Sequence, residues 1–192
     1  VSALERERLI QSERTELERR MNGYLDLMRD SFAREWLLGC YSEEAELTRQ
    51  IAFLRMDVPR FPNWAVLLVG LETDGQGVEN RYLADAAVRS RLAWKDGAAR
   101  WFLPVKTGAD RLACILGIDK MNREEAQNEA VEAAALLQTL LADIVKSNGA
   151  VAVSETTGSI VDIPRLYAQA EETLENRAIY SRDASVLLYG DL

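Results

Sequence analysis

Residues 2 to about 39 mix charge and leucine in a pattern that predicts one long helix. The stretch has no proline and one internal glycine, Gly23, and it is dense in Glu, Arg and Leu, all good helix formers. Ile10, Leu17 and Tyr24 recur at intervals of seven, and Met21 and Met28 fall four after Leu17 and Tyr24 on the same side. This is a short a/d stripe. Arg6, Glu7, Glu13, Arg14 and Glu18 keep the other faces wet. A helix so charged has little of its own to bury against. Its partner is either a second copy, in a dimerising coiled coil, or the domain behind it. Ile10, Leu17, Met21, Tyr24 and Met28 are therefore the candidate interface residues. From Leu25 the apolar face widens through Leu27, Phe32, Trp36, Leu37 and Leu38, and the helix is expected to enter a globular core there.

Gly39 is placed to end this helix in a left-handed cap. Ser42 is expected to start a second helix, with Leu47, Ile51 and Leu54 on its inner face. Trp64 to Glu72 is apolar on both faces and predicts a buried central strand. Leu83, Ala86, Ala87 and Leu92 predict a helix over 79–94. Ala99 to Lys106 and Asp110 to Ile118 predict a β-hairpin around Thr107-Gly108-Ala109. Asn122-Arg-Glu-Glu125 is a capping box that opens a helix to about Ser147. Ala130, Ala134, Leu137, Leu141 and Ile144 form its inner face. Ala150 to Ser154 is a short strand. Asp162 is expected to cap a helix with Pro164 in its first turn and Tyr167, Ala170, Leu174 and Ala178 inside. Ser185 to Tyr189 is a closing strand. The order, two helices and then β-α-β-β-α-β-α-β, predicts an α+β fold: a ferredoxin-like, split-βαβ sheet with helices on one face. The one compositional boundary separates an N-terminal helix, 1–39, from a globular α/β domain, 40–192.

Composition narrows the chemistry. The chain has 192 residues with 23 Lys+Arg, 31 Asp+Glu and a net charge of −8. Such a balance argues against nucleic-acid binding by this chain, since phosphate contacts need a basic face. Histidine is absent, which removes His bases, His ligands and a His phosphoacceptor together. Cys40 and Cys114 are too far apart in sequence for a zinc motif and are expected to be free buried thiols of a reducing cytoplasm. No run approaches membrane-spanning length. The chain is expected to be a piece of a larger cytoplasmic protein. The acidic pairs at 43–44, 124–125 and 171–172 read as solvated surface. Trp36, Trp64, Trp94 and Trp101 read as core or interface anchors. No phosphate-binding glycine loop occurs, and no cofactor or metal is expected.

The strand order and hairpin resemble the GGDEF domain of diguanylate cyclases. That family carries its signature at the hairpin tip and a metal-binding acid at the end of the first strand. Here the tip reads Lys106-Thr107-Gly108-Ala109-Asp110, and the strand end reads Gly70-Leu71-Glu72-Thr73-Asp74. Arg100 is followed by Trp101, Phe102 and Leu103, not by an Arg-x-x-Asp pattern. The resemblance therefore implies a degenerate, non-catalytic member. The chain is more closely similar to the GGDEF-like middle domain of AraC-type response regulators. Arg29 to Gly39, Ala65 to Val69, Ile163 to Leu174 and Ser185 to Leu192 follow that family's segments in order. The resemblance implies a homodimeric signal-transmission module between a receiver and a pair of DNA-binding helix-turn-helix units, with DNA held by the full-length protein. An alternative is a small-molecule-sensing domain, with an effector bound between sheet and helices.

Overall fold

The strand β1, Asn63–Gly70, runs through the middle of the fold and is buried over nearly its whole length. Alternate residues point to opposite faces of a strand, so its apolar run divides in two. Ala65, Leu67 and Val69 enter one core cluster; Trp64, Val66 and Leu68 enter another. The computed structural model describes residues 3–71, 100–108, 110–145, 149–178 and 185–190. Over these residues the chain is α+β, with a five-stranded mixed sheet. The expected helix over 79–94, Trp94 and the acids Glu72 and Asp74 lie outside them.

The long helix α1 spans Ala3–Leu37. Gly39, with φ +78, ends it as the sequence predicts, and the amide of Cys40 returns to the carbonyl of Glu35 at 3.0 Å. Helix α2 spans Glu44–Phe53 and is preceded by Glu43, in extended conformation, with no side-chain cap. Ser42 therefore is not the cap expected of it. The hairpin strands are β2, Arg100–Lys106, and β3, Arg111–Ile118. Helix α3, Arg123–Val145, is capped by Asn122, whose Oδ1 accepts from the amides of Glu124 and Glu125 at 2.8 and 3.3 Å. Strand β4, Ala150–Val153, leads through a 3-10 turn at Ile160–Asp162 to helix α4, Ile163–Glu175, and then to β5, Val186–Leu188.

The sheet order is β2-β3-β1-β4-β5. β1 lies antiparallel to both β3 and β4, and β4 lies parallel to β5 across the α4 crossover. The helices cover both faces. Ala126, Ala130, Ala133, Ala134, Leu137 and Leu141 of α3 close one. The end of α1, with Phe32, Ala33, Trp36 and Leu37, closes the other together with α2 and α4. This corrects the expectation of helices on one face. A strand apolar on both sides leaves neither face fit for water.

Three further expectations change. Cys114 is buried but Cys40 is exposed, because it follows the cap and points away from the core. Leu27 and Leu38, expected on the buried face of α1, are 68% and 71% exposed. Asp162 precedes α4 without capping it by its side chain; its carboxylate instead accepts from Thr157 Oγ1 at 2.8 Å. The tryptophans that are described sit in one aromatic chain. Trp36 meets Trp64 edge-on at 6.3 Å, and Trp64 meets Phe61 at 5.4 Å and Trp101 at 5.8 Å.

Candidate functional site

Two parts of α1 behave differently. Anchoring begins at Met28, which is half-buried against the core, and at Arg29. The guanidinium of Arg29 donates to the carbonyls of Leu54 at 2.9 Å and Arg55 at 3.2 Å, satisfying backbone left open where α2 ends. Upstream of Met28 the helix stands free of the sheet. Ile10, Leu17, Met21 and Tyr24 are 64, 60, 57 and 67% exposed. Four of the five candidate interface residues thus share one solvent-facing side, and Met28 belongs to its own core instead. Leu4 and Leu27 are exposed as well; they flank the stripe and widen it. The sequence places Leu27 on the core face instead, because apolar character alone does not tell a core face from an exposed one.

The charges around this stripe are ordered locally. Arg14 pairs with Glu18 at 3.1 Å, and Arg19 and Arg20 both pair with Glu16 at 3.0 Å. The two guanidiniums hold the Glu16 carboxyl below its ordinary range. At such exposure these pairs add little to stability, but they fix where charge lies beside the apolar side chains.

The hairpin end is the second region of interest. Lys106 pairs with Leu112, and the Thr107 amide reaches the Arg111 carbonyl at 3.3 Å. Arg111 lies between Glu171 at 3.7 Å and Glu175 at 3.6 Å. Tyr167 of α4 packs beneath. Burial, then the Glu171 carboxylate, push its phenol up to about 12, against the opposing influence of Thr107 and Arg111. Thr107 Oγ1 is itself buried and makes no hydrogen bond of good geometry. The Leu174 side chain lies against Gly70, where a Cβ would meet it at 2.9 Å. This end of β1 is thus filled by an apolar side chain. Among the described residues no three His, Cys, Asp or Glu side chains converge to hold a metal.

A third feature is an open cleft of about 210 Å³ between α2 and the start of β1, lined by Glu44, Thr48, Ile51, Arg60, Phe61 and Trp64 among others. Ser154, just past β4, serves the backbone. Ser154 Oγ accepts from the Val66 amide at 2.9 Å and donates to the Glu155 carbonyl at 2.7 Å. No helix among the described residues is long and apolar enough to cross a membrane. No protein-family model and no curated protein matches the sequence.

Proposed function

We propose that this chain is a non-catalytic dimerisation and signal-transmission module, the degenerate GGDEF-like middle domain of a cytoplasmic, AraC-type two-component regulator. The observation that carries this reading is the division of α1. Its last turns are built into the core through Phe32, Trp36 and Leu37, while Ile10, Leu17, Met21 and Tyr24 upstream stay in water. A helix anchored at one end and apolar at the other suits a device that pairs two chains and moves the domain attached to it. The sheet order β2-β3-β1-β4 supports a ferredoxin-like, split-βαβ origin. The hairpin tip, with no glycine pair and one acid, supports loss of nucleotide chemistry, and the net charge of −8 supports DNA contact by other domains.

The test is analytical ultracentrifugation of the chain and of Leu17→Asn with Met21→Asn. The reading expects a dimer that becomes a monomer with unchanged far-UV circular dichroism. A double variant that stays dimeric would place the interface on the globular part. The cleft beside Trp64 favours a second reading, a small-molecule sensor. A thermal-shift screen with nucleotides and metabolites separates the two, since a ligand at 100 times its Kd adds about 2.7 kcal/mol.

A further inference from the structure

Stepping by sevens back from Met21 along the exposed part of α1 reaches Arg14 and Glu7. These two charged residues, expected from the sequence on the wet faces of α1, instead occupy the a positions of the heptad whose d positions are Ile10, Leu17 and Tyr24. The flanking g positions carry Arg6, Glu13, Arg20 and Leu27, and the e positions carry Leu4, Gln11, Glu18 and Leu25. The apolar residues alone permit two copies to pair in either direction. The charges do not.

A parallel pair stacks each residue on its own copy at a and d. Glu7 then meets Glu7 and Arg14 meets Arg14 inside the seam, and Glu13 at g faces Glu18 at e of the second copy. Every one of these contacts joins like charges, which are unfavourable where water is displaced. An antiparallel pair stacks a on d. One register sets Ile10 against Met21, Arg14 against Leu17 and Glu7 against Tyr24, each twice by symmetry. It also sets Glu13 against Arg20 across the g positions, and Leu4 against Leu25 across the e positions. The long stem of arginine covers Leu17 while its head stays wet. Arg20 already holds Glu16 of its own chain at 3.0 Å, and its planar guanidinium has donors left for a second carboxylate. A shift by one further heptad brings Met28 onto Ile10, but Met28 is taken by its own core, and the shift sets Arg20 on Arg20 and Glu18 on Glu18.

We infer that the exposed part of α1 docks a second copy of this chain in antiparallel orientation, with Ile10 over Met21 and Glu13 beside Arg20. This rests on the proposed dimerising role of α1 and adds its direction. Residues 7 to 24 cover about 26 Å of helix, ending one turn short of Met28, where α1 joins the core. The two globular parts then lie at opposite ends of the paired helices. A receiver joined upstream of one α1 would sit beside the globular part of the other chain, so that signalling runs between chains.

The experiment uses the whole chain with two readouts. In sedimentation equilibrium, Glu13→Arg is expected to weaken the dimer by about tenfold, and Glu13→Arg with Arg20→Glu to bring it back to within about threefold. A parallel dimer gives the opposite sign, because an arginine at 13 would face Glu18. Separately, Cys40→Ser chains carrying Ile10→Cys or Met21→Cys are mixed under mild oxidant. The antiparallel seam yields a disulfide between positions 10 and 21; a parallel seam yields same-position disulfides. Same-position disulfides with a tightened Glu13→Arg dimer overturn the orientation and leave the dimerising role standing. A monomer at all concentrations, or a dimer indifferent to both changes, overturns both.

Discussion

The indole Nε1 of Trp36 donates to the carbonyl oxygen of Ile160 at 2.9 Å, joining the last turn of α1 to the 3-10 turn that precedes α4. Trp36 is 1% exposed and packs on Trp64, so the bond and the aromatic contact act on one side chain. Trp36→Phe should lower stability by about 0.5–1.5 kcal/mol, by removing this part-buried hydrogen bond. Trp36→Ala should cost about 3–5 kcal/mol through the cavity as well. Urea unfolding followed by circular dichroism measures both.

The same bond predicts a division of effects along α1. Leu37→Ala removes a fully buried side chain and should cost about 2–5 kcal/mol. Leu17→Ala and Tyr24→Ala, in water in the single chain, should change stability by less than about 0.5 kcal/mol when measured at concentrations below dimer formation. Comparable losses at Leu17 and Leu37 in dilute protein would mean that α1 folds back on its own domain along its whole length.

Gly117 faces Phe61 so closely that a Cβ would meet Cδ2 at 2.3 Å. Phe61 is held edge-on against Trp64 at 88°, so its ring cannot turn aside freely. Gly117→Ala should therefore destabilise by about 1–3 kcal/mol. Phe61→Leu in the same chain should recover part of that loss. Additive losses in the double-mutant cycle would argue against the contact as the cause.

Two phenols predict an alkaline limit. Burial, followed by the hydrogen bond to Glu35, raises Tyr41 to about 12, and burial with Glu171 raises Tyr167 to about 12; the ordinary value is 10.0. The fold favours the protonated phenol. This contribution is whole below pH 10, where both states are protonated, and falls as pH rises from 10 towards 12, where the unfolded chain alone releases the proton. Urea midpoints at pH 8, 10 and 11.5 should fall in that window. Tyr41→Phe, which removes the donor to Glu35 Oε2 at 2.7 Å, should be less stable at pH 8 and should lose less between pH 10 and 11.5.

Periodicity is a local property, and what it carries was readable in the chain. The long N-terminal helix, its stop at Gly39, the Asn122 cap, the hairpin over 100–118 and the two-sided burial of β1 follow from residue spacing and backbone preference alone. So does the apolar line Ile10, Leu17, Met21 and Tyr24. Which apolar side chain meets which surface depends on segments far apart in sequence. Met28 is drawn to the core while Leu27, one residue away, stays in water, because Arg29 docks on the end of α2 and fixes the rotation of α1 there. Ser42 loses the cap position to Glu43, and Asp162 turns its carboxylate to Thr157, because the chain path through each loop is set by what lies beneath it. The sequence makes β1 apolar on both faces, yet its element order predicts helices on one. The placement of α3 on one face and of α1, α2 and α4 on the other was decided by tertiary packing, in which the alanine-lined side of α3 joins one core cluster and the aromatic end of α1 joins the other.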